Sequence, residues 1–320
     1  MKPAVLLMAY GAPENLDEIE AFLLHVRGGR VSSPEFIEEI KKRYRLIGGG
    51  SPLLEITRSQ AQALESQLNI EYKSENSSSF RVYVGMRHWK PTIKEAIKKI
   101  VMDGYSDVVA LCMVPYYSRM TVGAYFVALE EAQESLKNED VLQARLNILP
   151  IDSWHIQPDY IQAIVEKTKE GLKQFSDVEQ EQVSIIFTAH SLPASIVAQS
   201  DPYCSQLEET AGLVAKELGL ERERWQLCFQ SMGAAPVEWL GPQLKDVIEQ
   251  KSREHCSRLL IVPIGFLVDN VEILYDIDID ARQYASERGI HLERTRSLNT
   301  SSLLIRALTE IVKQKTESMC

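Results

Sequence analysis

Residues 259–266 read LLIVPIGF, and residues 271–280, which follow closely, read VEILYDIDID. The first run is continuously apolar up to its proline, as expected for a strand buried on both faces of a parallel sheet. The second run follows the carboxyl end of that strand, where open α/β sheets bind their ligands. These two segments therefore predict an α/β fold with its chemistry just past a strand over Arg258–Ile264.

Three acids of the second run, Glu272, Asp276 and Asp280, are four residues apart and would share one face of a helix. Like charges at that spacing repel, so the face needs solvent, a cation or a proton to offset them. The alternation in residues 276–280 also fits a strand with one wet face. The helix formers that follow, and the stop signal at Gly289, favour the helix. Spacing alone leaves a solvated face and a metal-handling face both open.

Continuous apolar runs alternate with helix-period segments along the whole chain, which is typical of parallel sheets covered by helices on both sides. Eight strands are predicted, at Ala4–Met8, Arg81–Gly85, Asp107–Val114, Ala144–Ile148, Val183–Ala189, Arg224–Phe229, Arg258–Ile264 and Gly289–Glu293. The strand ends at 4–13 and 183–193 also resemble each other. We therefore expect two similar βα lobes, residues 1–150 and 151–320, whose strand ends face a shared cleft.

Composition excludes several classes of protein. A net charge of −10 argues against a general nucleic-acid binder, because phosphate neutralisation needs clustered Lys and Arg. No apolar run is long enough for a transmembrane helix, and the N-terminal run leads into a Gly-Ala-Pro turn rather than a signal-peptide cleavage site. The five cysteines form no C-x-x-C pair, and Cys112 and Cys228 lie in apolar runs that predict buried thiols. A cytoplasmic protein is expected.

His190 follows the apolar run 183–189, where an imidazole can accept a proton or bind a metal near neutral pH. A histidine that caps a helix or is buried in the core is the simpler explanation for a lone residue. In a parallel sheet, however, His190 and Glu272 would both lie past strand ends. A histidine and a carboxylate would make an open metal site suited to a transient ion.

Residues 22–47 form a basic segment in an acidic chain. Arginine binds carboxylates through two hydrogen bonds, so a ligand rich in carboxylates is a natural partner. A solvated helix face with pairs such as Glu39–Arg43 remains a serious alternative. The Gly48–Gly50 run lacks the Lys-Ser/Thr of a phosphate-binding loop, so we predict a hinge or close-approach loop.

Motifs along nearly the whole chain resemble the ferrochelatase family, whose members insert Fe²⁺ into a porphyrin in haem synthesis. They are MAYGAP at 8–13, YRLIGGGSPL at 44–53, MRHWKP at 86–91, VPYYS at 114–118, TAHSLP at 188–193, QS at 230–231, WLGP at 239–242 and VPIGFLVDNVEILYD at 262–276. The resemblance implies a chelatase-like fold of two Rossmann-like lobes, each a parallel four-stranded sheet flanked by helices.

The same resemblance assigns roles to individual residues. It makes His190 and Glu272 the catalytic pair that faces the metal, and Asp276 and Asp280 accessory acids on a path for metal or protons. Asp278 is left as a surface residue. The residues that would contact the porphyrin are Tyr10, Arg27, Arg43, Tyr44, Ser51 and Tyr125. Tyr10 would also be the axial contact to the product iron.

The resemblance gives conflicting indications of which porphyrin is the substrate. Tyr10 in so short a chain resembles the coproporphyrin III enzymes of Gram-positive type, whereas RSLN at 296–299 resembles protoporphyrin-type relatives. Asn270 departs from the usual histidine, which puts a proton role there in doubt. Only Cys320 lies near the C-terminus, so no iron–sulfur cluster and no cofactor beyond substrate Fe²⁺ are expected.

Porphyrin and ferrous iron are the expected partners, and a monomer is expected. The apolar edge Phe22–Leu24 leaves peripheral membrane contact open, although a buried helix face explains it more simply. Three other functions stay open: a porphyrin or haem carrier without catalysis, a chelatase for another tetrapyrrole or metal, and a periplasmic-type binding protein. The last is disfavoured by the N-terminal sequence.

Overall fold

The computed structural model describes residues 2–72, 79–198, 200–233 and 235–318. Cys320, on which the expectation about an iron–sulfur cluster rests, lies outside these residues. The chain divides into two compact units, Met1–Trp154 with Asn299–Cys320, and His155–Leu298. Each unit contains a four-stranded, entirely parallel sheet flanked by helices, so the predicted α/β class with two similar units is confirmed.

The first unit is built around a central strand that is buried along its whole length. Its strands are β1 (Ala4–Ala9), β2 (Val82–Met86), β3 (Asp107–Cys112) and β4 (Asn147–Ile151), in the order β2-β1-β3-β4. Its first helices are α1 (Ile19–Val26), α2 (Pro34–Leu46), α3 (Leu53–Glu71), α4 (Ile93–Met102) and α5 (Val122–Asn138). Because helices cover both faces of β1, all six of its residues can be apolar.

The second unit repeats the same strand order. Its strands are β5 (Ser184–His190), β6 (Trp225–Gln230), β7 (Arg258–Val262) and β8 (His291–Arg294), in the order β6-β5-β7-β8. Its helices are α6 (Pro158–Leu172), α7 (Asp177–Gln180), α8 (Ser195–Ala198), α9 (Tyr203–Glu217), α10 (Leu244–Arg253), α11 (Val271–Leu274) and α12 (Arg282–Ser286). A π-helix, Asp276–Ala281, connects the last two.

All eight predicted strands are present, and one is displaced along the chain. The strand predicted at Ala144–Ile148 is β4, which begins at Asn147. The N–H of Leu146 donates instead to the side chain of Gln133 at 3.1 Å, and the ladder starts where Asn147 pairs with Asp107. A tertiary hydrogen bond therefore sets this strand boundary.

The predicted division at residue 150 differs from the observed units at the C-terminal end of the chain. Helix α13 (Ser302–Glu317) packs along α3 of the first unit, and Lys313 and Glu71 form an ion pair of 3.1 Å between the two helices. The second lobe predicted as 151–320 therefore lacks its last segment. The sequence pattern predicts that α13 is amphipathic and needs an apolar surface to pack on. It does not predict which of the two units provides that surface.

No helix in the described ranges is long and apolar enough to cross a membrane. The apolar edge at residues 22–24 belongs to α1, where Phe22 and Leu23 are buried and Leu24 is exposed. The cysteines predicted to be buried, Cys112 and Cys228, are buried.

Candidate active site

The site of the second unit is built where β5, β6 and the segment after β7 come together. His190, the last residue of β5, pairs in register with Gln230, the last residue of β6. The chain after β7 approaches β5 closely at Gly265, whose N–H donates to the carbonyl of Thr188 at 3.0 Å. A Cβ on Gly265 would lie 2.6 Å from the Cα of Ala189, so only glycine allows this approach.

The backbone fixes the tautomer of His190. Its Nδ1 lies 2.6 Å from the carbonyl oxygen of Ser191, and because a carbonyl can only accept, Nδ1 carries the hydrogen. The neutral ring therefore keeps its lone pair on Nε2. Tyr203 donates its hydroxyl to the His190 carbonyl at 2.9 Å, and the ring of Phe266 lies 6.4 Å away. Burial lowers the pKa of His190, opposed by the bond to Ser191, so the ring is a neutral base or ligand near pH 7.

Glu272 lies in the first turn of α11, which an amide caps. The side chain of Asn270 accepts the N–H of Ile273 at 3.1 Å, so the residue that departs from the family pattern serves as the N-cap. Gln230 donates its side-chain amide to the carbonyl of Glu272 at 3.1 Å. Gln230 therefore connects the two candidate residues. Its backbone pairs with His190 in the sheet, and its side chain is bonded to the turn that carries Glu272.

The Glu272 carboxyl is surrounded by protein although part of the residue reaches solvent. The pKa of Glu272 is raised to about 7, mainly by burial and to a smaller extent by the charge of Asp276, against the opposing effect of the backbone N–H of Glu272. A carboxyl with this pKa takes up and releases a proton near neutral pH. It can therefore exchange that proton for a cation.

The acidic run is helical, as predicted, but its middle is a π-helix. The N–H of Asp280 donates to the carbonyl of Tyr275 at 2.9 Å, a bond that spans five residues instead of four. Two acids of the predicted face, Asp276 and Asp280, are bonded to side chains just after β6 and in α10, respectively. Asp276 accepts a hydrogen bond from Ser231, and Asp280 pairs with Lys245 at 2.7 Å.

Asp278 was predicted to be a surface residue, and this is wrong. Both of its carboxylate oxygens accept hydrogen bonds of 2.7 Å from Arg294, and its side chain is 28% exposed. Because Arg294 belongs to β8, the side chain of Asp278 points away from the helical segment in a different direction from those of Asp276 and Asp280. The sequence shows only that Asp278 falls between the acids of the other face.

The acids of the segment are thus neutralised unequally. Asp278 and Asp280 each have a cationic partner, whereas no Lys or Arg of the described residues pairs with Glu272. Within the described ranges no group of three or more His, Cys, Asp or Glu side chains is arranged to hold a metal ion. With one imidazole nitrogen and one carboxyl, His190 and Glu272 suit an ion that passes through better than one that is stored.

The predicted porphyrin-binding residues all belong to the first unit. Tyr10 follows β1, is 42% exposed and has its ring 4.5 Å from that of His88. Arg27 donates to the hydroxyl of Ser32 at 2.9 Å. Arg43 pairs with Glu39 at 2.6 Å, which is the i,i+4 pair that the sequence offered as an alternative.

Three further residues of that set lie beneath the surface. Tyr44, Ser51 and Tyr125 are buried. The N–H of Ser51 donates to the carbonyl of Pro13 at 3.0 Å, and a Cβ on Gly50 would lie 2.0 Å from the carbonyl oxygen of Glu14. The glycine run is thus the predicted close-approach loop, packed against the turn that follows β1.

Two charged residues that pair with the acidic segment, Lys245 and Arg294, had no role assigned from the sequence. Gln230 and Ser231 were noted only as part of a motif. Ser231 has a positive φ of 58°, which orients the end of β6 toward Asp276. Of the other histidines, His155 is buried against Glu209, whereas His25, His255 and His291 are exposed.

Comparisons with known proteins agree on one family. A model of the family described as Ferrochelatase matches residues 2–316. The chain is 39% identical to the ferrochelatase of Deinococcus radiodurans over 311 residues, covering 97% of this chain and 95% of that one. It is 37% identical to coproporphyrin III ferrochelatase 1 of Bacillus cereus over 319 residues, covering 99% of each.

Solved structures support the fold. The sirohydrochlorin chelatase SirB from Bacillus subtilis subspecies spizizenii, in complex with cobalt, is 10% identical, with a TM-score of 0.55 and coverage of 99% of this chain and 97% of that one. SirB from Bacillus subtilis with Fe³⁺ is 11% identical, with a TM-score of 0.59 and coverage of 100% and 97%.

Proposed function

The chain belongs to the ferrochelatase family, and on that basis we propose that it inserts Fe²⁺ into a porphyrin as a step of haem biosynthesis. One observation carries this proposal beyond the family name. The neutral His190 and the carboxyl of Glu272, whose pKa burial raises to about 7, are joined through Gln230 at the end of one sheet. A base and an exchangeable carboxylate in one place are what the reaction requires.

Insertion replaces two pyrrole protons by one divalent ion, so the protein must take up protons and strip water from the ion. We propose that Glu272 holds the Fe²⁺ and passes it on, and that Nε2 of His190 accepts one pyrrole proton. The Glu272 carboxylate accepts the second pyrrole proton once it has released the ion. Asp276 and Asp280 act as accessory acids that relay cation or proton along the helical segment. Glu272 can do its part because its proton is lost near neutral pH as the ion arrives.

We further propose that coproporphyrin III is the preferred porphyrin, with protoporphyrin IX as the alternative. Coproporphyrin III carries more propionates, and the first unit offers Arg27 and Arg43, whose guanidinium groups bind carboxylates well. Tyr10 would contact the product iron, and Tyr44, Ser51 and Tyr125 would complete the contacts. A relative named for coproporphyrin III covers the same length at 37% identity.

The proposal includes a monomeric, cytoplasmic enzyme that needs no cofactor beyond its substrate ion and that can contact a membrane peripherally. Light scattering of the purified protein tests the oligomeric state. Flotation with lipid vesicles tests membrane contact.

An anaerobic metallation assay tests the function itself. Purified protein is mixed with Fe²⁺ and either coproporphyrin III or protoporphyrin IX, and the loss of porphyrin fluorescence is followed. Faster loss with coproporphyrin III is expected. Inertness toward both porphyrins would refute the proposal, and tight porphyrin binding without metallation would indicate a carrier instead. A panel of other divalent metals and tetrapyrroles tests for a chelatase of different specificity.

A further inference from the structure

We propose that Arg294 is a positioning residue that holds the segment 269–281 in register, and with it Glu272 and Asp276. This rests on the proposed function in so far as it concerns catalysis. The Arg294 guanidinium is bonded to Asp278, Asp269 and the carbonyl of Thr295, so its proposed role is indirect. It acts through the two aspartates to which it is bonded.

Arg294 ties two points of that segment together. Its Nε and Nη2 each donate to Asp278 at 2.7 Å, one bond to each carboxylate oxygen, and its Nη1 lies 3.2 Å from Asp269. Ser297 donates its hydroxyl to the same Asp269 at 2.8 Å. The Arg294 side chain is only 12% exposed, so solvent screens these contacts far less than those of a surface pair.

The two aspartates lie on either side of the proposed catalytic acid. Asp269 directly precedes Asn270, the N-cap of α11, and Asp278 lies in the π-helix beyond Glu272. A single guanidinium therefore spans the turn that carries Glu272. Holding both ends of a short helical segment limits how far the residues between them can rotate or slide.

The guanidinium is itself held by the sheet. Arg294 is the last residue of β8 and pairs in register with Ile261 of β7, and the N–H of Thr295 donates to the carbonyl of Ile261 at 2.9 Å. Nη1 of Arg294 also donates to the carbonyl of Thr295 at 3.0 Å. The contacts of Arg294 with Asp269 and Asp278, here called the clamp, thus connect the sheet of the second unit to the segment that bears the acids.

The segment needs such an anchor because its local structure is unfavourable. A π-helix is rare and usually occurs as a single turn at a functional site. This one also carries three aspartates in five residues, which repel one another. The pairing of Asp278 with Arg294 offsets one of these charges from the side of β8 and so weakens the repulsion within the segment.

The Arg288–Glu249 pair provides a matched control. It is 2.6 Å long, is also partly buried and belongs to the end of the same helical region, but it does not contact residues 269–281. Arg288→Ala should therefore cost stability without changing catalysis. Arg294→Lys is the conservative variant because it keeps the positive charge. Its single ammonium cannot reproduce the two hydrogen bonds by which Arg294 binds both oxygens of Asp278.

The experiment compares Arg294→Ala, Arg294→Lys, Asp278→Asn and Arg288→Ala in two measurements. In anaerobic metallation with Zn²⁺ or Fe²⁺, Arg294→Ala should lower kcat about 10- to 100-fold per folded molecule. The KM for porphyrin should stay within about twofold, since the proposed role of Arg294 is indirect. Arg294→Lys should recover part of kcat, and Arg288→Ala should keep all of it.

Hydrogen exchange by mass spectrometry gives a readout independent of activity. Amides of residues 271–281 should exchange about tenfold faster in Arg294→Ala and Asp278→Asn, and at the wild-type rate in Arg288→Ala. If Arg294→Ala does not fold, Asp278→Asn decides the question, because it removes the charge pair at nearly constant shape.

Unchanged exchange of 271–281 in a folded Arg294 or Asp278 variant would overturn the clamp. Unchanged kcat in such a variant would overturn its role in catalysis. A wild-type protein that metallates no porphyrin would refute the proposed function, and the exchange data would still decide the clamp.

Discussion

His190 donates its Nδ1–H to the carbonyl oxygen of Ser191 at 2.6 Å, so that its other nitrogen carries the lone pair. The bond is made to the next residue of the chain, and Ser191 is itself held by the carbonyl of Gln230 at 2.8 Å. A backbone carbonyl therefore orients the imidazole, and no carboxylate of the described residues is hydrogen-bonded to it.

The first prediction concerns this imidazole. His190→Ala should lower the rate of metallation at least about 100-fold, because both a proton acceptor and a metal ligand are lost. His291→Ala, an exposed histidine of the same unit, should leave the rate unchanged. Near-normal Fe²⁺ or Zn²⁺ insertion by His190→Ala would contradict the assignment.

The second prediction separates activity from stability at Glu272. Its pKa is about 7 in the folded protein and near 4.5 when exposed, so between these pH values the unfolded state ionises first and stability falls as pH rises. Glu272→Gln removes this penalty. The variant should therefore be inactive, yet more stable than the wild type at pH 8 by roughly 3 kcal/mol.

Urea unfolding at several pH values tests this prediction. The advantage of Glu272→Gln should shrink as pH is lowered from 7 toward 5. Glu287→Gln, which replaces an exposed acid nearby, is the control and should not show the stabilisation expected of Glu272→Gln. An advantage that is constant with pH would mean that Glu272 ionises normally.

The third prediction concerns the outer end of the acidic face. Lys245 neutralises Asp280 at 2.7 Å, so Lys245→Ala should leave a carboxylate that attracts the incoming cation. The KM for Zn²⁺ should fall about two- to fivefold at low ionic strength, with little change in kcat or stability, because the pair is exposed.

Lys251→Ala is the control for Lys245. It lies on the same helix, and its ammonium pairs with Glu254 at 2.8 Å, away from the acidic segment. Its KM for Zn²⁺ should equal that of the wild type. Equal KM values in both variants would show that Asp280 does not take part in ion uptake.

The fourth prediction uses two glycines of the second unit. Gly265→Ala would place a Cβ 2.6 Å from Ala189, next to His190, and should cost about 1–3 kcal/mol while also lowering kcat. Gly212→Ala, in the middle of α9 with no atom within 4 Å of the new Cβ, should stabilise by about 0.5–1 kcal/mol. Thermal unfolding and metallation rates check both, and a neutral Gly265→Ala would mean that this close approach is not needed.

Much of the fold was predictable because buried parallel strands leave a strong signal. The apolar runs predicted all eight strands, and the residue at the end of β5 and the acid after β7 were chosen correctly as neighbours of one sheet edge. The position of α13 was not predictable, because its apolar face would fit any exposed sheet or helix. Such partnerships depend on the tertiary structure, which periodicity does not contain.

The π-helix did leave a signal that was not recognised. Ile273, Ile277, Ala281 and Ala285 are all buried and are spaced by four residues, like the acids on the neighbouring face. An α-helix repeats every 3.6 residues, so a strict four-residue repeat drifts around it unless some turns are wider. The proposed role of Arg294 left no such trace, since only its contacts with Asp269 and Asp278 distinguish it from other charged residues at strand ends.

The docking of α13 on α3 has a consequence for synthesis on the ribosome. The first unit begins to emerge first, but it includes α13, which is translated after the whole second unit, whereas the second unit is an uninterrupted stretch of chain. The second unit can therefore complete its core before the first, which keeps the apolar face of α3 uncovered until α13 has been translated. The order of emergence and the order of completion are thus reversed, and the interval before α13 emerges is when the first unit most needs protection from aggregation.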